Sequence, residues 1–165
     1  MTKTLKRRRL ENKTDYAKRL KLLKGNAPRL IFRKTNRYII AQYVTSKEAQ
    51  DEIVIGLNSR ALMKFGWPDK AEGSLKSLPA SYLTGYLIGK KILHEKLQAP
   101  IFDIGMHISL HKTRIFAFAK GVVDAGVQIN VKEEIFPDEK RIKGEHMEVK
   151  ILFDKIKQEI DKTKW

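Results

Sequence analysis

Three short runs of β-forming residues lie close together between residues 29 and 57 of this 165-residue chain. The runs are 29–34 (RLIFRK), 37–44 (RYIIAQYV) and 51–57 (DEIVIGL). Their β-branched and aromatic residues predict strands, and Thr35-Asn36 between the first two predicts a tight hairpin turn, because Asn tolerates the left-handed backbone region. Strands so close in sequence predict an antiparallel meander.

Helical spacing of apolar residues dominates elsewhere. Residues 1–12 show no apolar periodicity and predict an extended, flexible arm. A short basic helix is predicted over 15–24, capped by Thr14 or Asp15 and ended by Gly25, and another short helix over 59–65. The longest helical signal covers 79–98, and a second helix over 113–125 is rich enough in small residues to pack closely on a sheet.

The segments around these two helices are shorter. Residues 101–105 predict a short buried strand, 127–130 another strand or an extended link, and 132–146 a polar region of turns. The last stretch predicts an amphipathic helix with one apolar stripe, formed by Val149, Leu152, Phe153, Ile156 and Ile160.

This order of elements predicts an α/β (α+β) fold, a mixed β-sheet packed with helices. A basic N-terminal arm precedes the sheet, and a C-terminal amphipathic helix follows it. The expected divisions are 1–24 for the arm and its short helix, 25–146 for the globular domain, and 147–165 for the C-terminal helix.

Positive charge is concentrated at one end. The chain has 34 basic and 19 acidic residues, a net charge of +15, and residues 1–37 contain 14 of the basic residues with only two acids. A nearly neutral body with a cationic arm indicates a polyanionic partner, either nucleic acid or an anionic membrane surface. We rank the membrane last, because Tyr16, Leu20 and Leu23 offer too small an apolar face.

Cysteine is absent, which excludes a disulfide framework, a Cys-ligated metal site and a cysteine nucleophile. No apolar run approaches the ~20 residues of a membrane span, and the N-terminus lacks the apolar core of a secretory signal. We therefore expect a cytoplasmic protein that requires no cofactor or metal.

Basic side chains are concentrated in the arm and the first hairpin, and Tyr16 and Tyr38 lie among them. Guanidinium groups and aromatic rings in this arrangement suit folded RNA better than duplex DNA, because folded RNA presents unstacked bases and 2′-hydroxyls. The candidate RNA-binding residues of these two segments are Arg7, Arg8, Arg9, Lys13, Tyr16, Lys18, Arg19, Lys21, Arg29, Arg33, Lys34, Asn36, Arg37 and Tyr38.

An enzymatic alternative uses carboxylates. Asp103 on a strand and Asp124 on a helix are the pair that a two-metal RNA-processing nuclease would need, and the acids of 133–139 would add to them. His107 and His111 have the spacing of a metal-ligand pair on a helix, but they follow a strand, and contacts with phosphate or ribose suit them better.

Six blocks of the sequence resemble one known family. The chain is similar to the universal L-eighteen family of 5S rRNA-binding proteins of the large ribosomal subunit, whose eukaryotic counterpart is the longer L-five protein. The blocks are 7–24, 28–42, 78–91, 103–107 (DIGMH), 114–126 (RIFAFAKGVVDAG) and 133–146. The lack of the long eukaryotic C-terminal extension favours an archaeal source.

The resemblance implies a structural ribosomal protein without catalytic activity. Its α/β body and basic arm would clasp 5S rRNA in the central protuberance, near 23S rRNA and beside neighbouring proteins that include the L-five protein of bacterial and archaeal naming. It also adds the loop residues His107, Lys112 and Arg114 to the expected RNA-binding set. Residues 108–113 depart from the family, which usually carries a Pro and a Gly there.

Overall fold

A four-stranded sheet forms the centre of the computed structural model, which describes residues 6–145 and 150–163. The strands are β1 (Arg29–Lys34), β2 (Ile39–Lys47), β3 (Gln50–Asn58) and β4 (Ile101–Asp103). Their order in the sheet is β3-β2-β1-β4, with β1, β2 and β3 antiparallel and β4 parallel to β1. The predicted meander and the mixed sheet are confirmed.

The turns of the meander differ from the prediction. Lys34 pairs with Ile39, so the first loop has four residues and β2 begins two residues later than expected. The Thr35 hydroxyl causes this, because it accepts the N–H groups of Arg37 and Tyr38 and donates to the carbonyl of Tyr38. The second turn uses Glu48 and Ala49, both at positive φ (48° and 65°), although neither residue is typical there.

The arm is partly helical. Residues 1–5 lie outside the described part of the chain, but Arg7–Leu10 form a single helical turn, α1, where the sequence predicted an extended segment. The helix α2 (Tyr16–Lys24) confirms the predicted basic helix. The Asp15 carboxylate accepts the N–H groups of Ala17 and Lys18, which stabilises its first turn.

Two helices cover one face of the sheet. They are α3 (Leu78–His94), which ends four residues earlier than predicted, and α4 (Arg114–Asp124). Phe118 of α4 packs into the same buried cluster as Leu30 and Phe32 of β1. The small residues of α4 do not face the sheet as predicted. Ala117 belongs to the buried cluster that contains Tyr82 of α3, and Gly121 lies against the backbone of Tyr82 with no room for a Cβ.

Shorter elements complete the body. A 3₁₀ helix, Ser59–Phe65, confirms the predicted short helix, and a second one, Asp69–Ser74, was not predicted. Residues 127–130 form an extended link, and the polar region contains a 3₁₀ turn, Glu133–Ile135, and the short helix α5 (Glu139–Ile142). The strand β4 is not buried as predicted, because it lies at the sheet edge and Ile101 is exposed.

The C-terminal helix α6 (Lys150–Lys162) docks against the face of α3 that points away from the sheet. Phe153, Ile156 and Ile160 are buried there, which confirms these three positions of the predicted stripe. Val149 and the side chain of Leu152 lie outside the described part of the chain. The Tyr86 hydroxyl donates to Asp161 at 2.7 Å, so polar contacts also join the two helices.

Candidate nucleic-acid interface

The arm helix lies over the sheet face opposite α3 and α4. Successive residues of a strand point to opposite faces, so Leu30 and Phe32 face the helices whereas Arg29, Ile31 and Arg33 face α2. Between α2 and this face is a depression of about 230 Å³, which we call the arm cleft. It is lined by Arg8, Lys13, Thr14, Asp15, Lys18, Arg19, Leu22, Arg29, Ile31, Arg33, Gln42, Asp51, Asp103, Gly105 and Met106.

Asp51 holds two arginines in the arm cleft. Arg19 donates to both of its carboxylate oxygens, at 2.8 and 3.0 Å, and Arg29 donates to one of them at 2.6 Å. Burial alone would raise the pKa of Asp51, but the hydrogen bonds from Arg19, Ser46 and Arg29 hold it well below its usual value. The hydrogen bond with Asp51 in turn raises the pKa of Arg19. Asp51 therefore stays ionised and ties α2 to the start of β3.

Arg29 has a different environment from the other candidate RNA-binding residues. It is only 2% exposed, and its guanidinium group lies between Asp51 and Asp103, 3.6 Å from the latter. The direct RNA contact predicted for Arg29 does not fit this position, because its donors already face two carboxylates. We assign Arg29 a structural role. It contacts the carboxylates of Asp51 and Asp103, which in turn bind Arg19 and Arg33.

The loop after β4 is joined to the same cleft. Arg33 donates to the carboxylate and to the carbonyl of Asp103, at 3.3 and 3.1 Å, and Lys18 donates to the carbonyl of Gly105 at 3.1 Å. Gly105 has a φ of +61°, and a Cβ there would lie 2.6 Å from the Arg33 guanidinium carbon. The positive φ favours glycine at 105, and a Cβ there would displace the Arg33 guanidinium group from its present position.

Several other cations of the arm are exposed to solvent. Arg7 and Lys13 both lie near Glu11, at 3.7 and 2.8 Å, and the side chain of Arg7 is 84% exposed. Arg9 and Lys21 are exposed as well. Lys6 stands 4.5 Å above the Tyr16 ring, so one face of this ring is covered by a cation.

The β1–β2 loop presents its side chains outward. Lys34, Asn36 and Arg37 are exposed, and Tyr38 is half-buried with Arg60 over its ring at 5.9 Å. A shallow depression of about 260 Å³ beside this loop is lined by Asn36, Arg37, Tyr38, Gly73 and Lys76. Sequence reasoning missed Lys76, because only the unpredicted 3₁₀ helix brings it to the hairpin.

His107 fastens the loop after β4 to the hairpin. Its Nε2 accepts the backbone N–H of Lys34 at 3.1 Å, and its ring meets Phe32 edge to face. Burial, assisted by the charges of Arg33 and Lys34, lowers the pKa of His107. Because Nε2 accepts a hydrogen bond, the ring is in its neutral form here and carries its proton on Nδ1.

A second and larger depression, the loop cleft, lies beside this loop. Its volume is about 650 Å³, and it contains the predicted residues Lys34, His107, Lys112 and Arg114. It also contains residues that sequence reasoning missed: Phe32, Leu78, Met106, Ile108, Leu110, Thr113, Ile115 and Arg141. Arg141 comes from the polar region, and no local pattern in the sequence distinguishes it from neighbouring cations.

The structure does not bring together the two carboxylates of the nuclease alternative. Asp103 lies in the arm cleft between Arg29 and Arg33, whereas Asp124 accepts the Tyr82 hydroxyl at 2.6 Å in a separate depression beside α6. Among the described residues, no group of three or more His, Cys, Asp or Glu side chains is placed to hold a metal ion. The geometry therefore contradicts a two-metal centre on this pair.

Within residues 6–145 and 150–163, no helix combines the length and the apolar character that crossing a bilayer requires.

Comparison with known proteins shows the family to which the chain belongs. The family described as ribosomal large subunit proteins 60S L5 and 50S L18 matches residues 2–102. The large ribosomal subunit protein uL18 of Korarchaeum cryptofilum is 47% identical over 141 residues, 86% of this chain and 70% of that protein. The proteins of the same name from Methanospirillum hungatei and Methanoregula boonei are 43% and 42% identical over 86% of this chain, covering 78% and 79% of their own lengths. On this similarity, the chain belongs to the uL18 family of large ribosomal subunit proteins.

Proposed function

We propose that this protein is a structural component of the large ribosomal subunit that binds 5S rRNA and helps anchor it in the central protuberance. Its membership of the uL18 family supports the ribosomal role. One observation carries the RNA-binding role. The first 37 residues contain 14 basic side chains and two acids, and the exposed cations among them surround the arm cleft and the β1–β2 loop.

In this proposal, exposed side chains contact the RNA and the buried Arg29 has a structural role. The exposed cations of the arm neutralise phosphates, which supplies affinity but carries no sequence information. Tyr16, Tyr38 and the exposed hairpin residues lie where an unstacked base or a ribose can reach them. Arg29 and Asp51 contact no RNA in this scheme and instead hold α2 against the sheet.

The proposed surroundings follow the family resemblance. They are 23S rRNA and the neighbouring proteins of the central protuberance, including the L-five protein of bacterial and archaeal naming, in a ribosome-bound, cytoplasmic setting.

The test is a binding assay over a series of salt concentrations, with 5S rRNA as ligand and an unrelated structured RNA of equal length as competitor. The variant Arg7→Gln/Arg8→Gln/Arg9→Gln should make the negative slope of log K against log salt less steep by about 2 to 3, since each phosphate contact contributes about 0.7 to 0.9. The matched control, Lys47→Gln/Lys64→Gln/Lys155→Gln, removes the same charge from exposed sites outside the arm.

Selective binding to 5S rRNA, with the larger change of slope in the arm variant, supports the proposal. Equal binding of the wild-type protein to both RNAs would contradict it, because net charge alone would then explain the association. Equal slopes for the two variants would contradict the assignment to the arm.

A further inference from the structure

Three large apolar side chains protrude from the loop between β4 and α4. Met106, Ile108 and Leu110 are 52%, 77% and 60% exposed. All three line the loop cleft, whose inner wall is formed by Phe32, Leu78 and Ile115. Exposed apolar side chains gathered on one loop indicate a surface that becomes covered.

Several hydrogen bonds hold this loop in place. His107 is bonded to the backbone of Lys34, and the N–H of Lys112 donates to the carbonyl of Ile135 at 3.0 Å. The Thr113 hydroxyl donates to the carbonyl of Leu110 at 2.8 Å. The apolar rim is therefore presented by an ordered backbone that is fastened to two other parts of the body.

The charged side chains that line the loop cleft are all positive. Lys34, Lys112, Arg114 and Arg141 line it, and among the described residues its lining contains no carboxylate. The Nζ of Lys112 lies 3.3 Å from a carboxylate oxygen of Asp138, a residue that does not line the cleft. Across the described part of the chain, the other three cations form no ion pair. The cleft therefore complements an anion that also has an apolar surface.

A nucleotide has both properties. Its base offers flat apolar faces and its phosphate carries the charge, and proteins recognise folded RNA by taking such unstacked bases out of loops and bulges. The volume of about 650 Å³ lies within the ~300–1,000 Å³ of small-ligand sites. A protein partner fits less well, because a specific protein interface needs ~800 Å² from each side and this apolar patch belongs to one loop.

We propose that the loop cleft receives one unstacked nucleotide of the bound RNA, with the base between Met106, Ile108 and Leu110 and the phosphate on Arg114 and Arg141. This proposal rests on the proposed function, since it assumes that the protein binds 5S rRNA. It assigns a role to Arg141 and explains why the rim of the cleft is apolar.

The first test variant is Met106→Ser/Ile108→Ser/Leu110→Ser. Its affinity for 5S rRNA should fall about 5- to 100-fold, which is no more than the loss measured when a base is deprived of an aromatic stacking partner. The salt slope should not change, because no charge is removed. The matched control, Leu93→Ser/Val123→Ser, alters exposed apolar residues outside the cleft and should bind as the wild type does.

The second variant, Arg141→Gln, keeps the test independent of any folding defect in the loop. It should make the negative slope of log K against log salt less steep by about 0.7 to 0.9, corresponding to one phosphate contact. Base-specific chemical probing of the complex should show one unpaired base that is protected by the wild-type protein and reactive with the serine variant, while the remaining footprint persists.

Wild-type affinity and an unchanged footprint in the serine variant would overturn the proposal and assign the loop to a protein neighbour instead. A wild-type protein that does not prefer 5S rRNA gives a different result, because it would overturn the proposed function and the nucleotide site with it.

Discussion

Asp51 shows how an acid can serve a basic surface. Its carboxylate binds Arg19 from the arm helix and Arg29 from β1, so α2 is fastened before any RNA arrives. An arm fastened in this way loses less conformational entropy on binding than a free arm would. From the sequence alone Asp51 is one acid in a β-strand, and only the fold shows that it faces the arm.

Replacing Asp51 with Asn should destabilise the protein by about 2 kcal/mol, because Arg29 would keep its buried charge with one carboxylate fewer. Urea unfolding measures this loss, and hydrogen exchange should show faster opening of the α2 amides. The control is Glu52→Gln, which alters the exposed neighbour on the same strand. A stable Asp51→Asn protein with protected α2 amides would show that other contacts hold the arm.

His107 should make stability depend on pH. Burial, with the charges of Arg33 and Lys34, lowers its pKa below the ordinary 6.5, so the unfolded chain binds the proton more tightly than the folded protein does. The contribution of the neutral ring is therefore present above pH 6.5 and declines as the pH falls below it.

Substitution with glutamine should remove this part of the pH dependence, because an amide oxygen accepts the Lys34 N–H without titrating. Denaturation midpoints measured between pH 7 and 5 should fall less in His107→Gln than in the wild type. The exposed His94→Gln is the matched control. Parallel pH profiles for His107→Gln and the wild type would rule out this role.

At the scale of elements, local signals were sufficient for the arm helix and for most of the strands. The sequence predicted Thr14 or Asp15 as the N-cap of α2 and Gly25 as its end, and the structure has Asp15 and Gly25 at these positions. The errors occurred where one side chain or distant packing decides. The Thr35 hydroxyl lengthened the hairpin loop, and strand order placed the apolar β4 at an exposed edge.

The close contact between α3 and α4 depends on Gly121, which has no side chain. An added Cβ at Gly121 would meet the backbone of Tyr82, which cannot give way as the end of a flexible side chain would. We expect Gly121→Ala to destabilise the protein by about 3 kcal/mol in a thermal or urea unfolding experiment. Gly73→Ala, where a Cβ meets open space, should change little. Equal stability of the two variants would mean that α4 shifts at low cost.

For the whole molecule, charge and composition predicted the class of partner, but not which cations are free to meet it. In the sequence, Arg29 and Arg33 look equivalent, because both are arginines of the same predicted strand. In the structure, Arg29 is buried between two carboxylates whereas Arg33 is half-exposed. Arg141 and Lys76 reach the candidate surfaces only through tertiary packing. Such placements depend on residues far apart in the chain, so no local pattern reveals them.

The parallel pairing of β1 with β4 affects the order in which the protein takes shape during its own synthesis. Arg29 pairs with Ile101, roughly 70 residues later, and Lys18 is bonded to Gly105. At about 5–20 residues per second, the edge of β1 that pairs with β4 waits roughly 4–14 s for Ile101 to follow it out of the ribosomal tunnel. During that interval β1 is paired with β2 on one edge only, so the nascent chain exposes the other edge of β1 beside a strongly cationic segment that stray polyanions in the cell can reach.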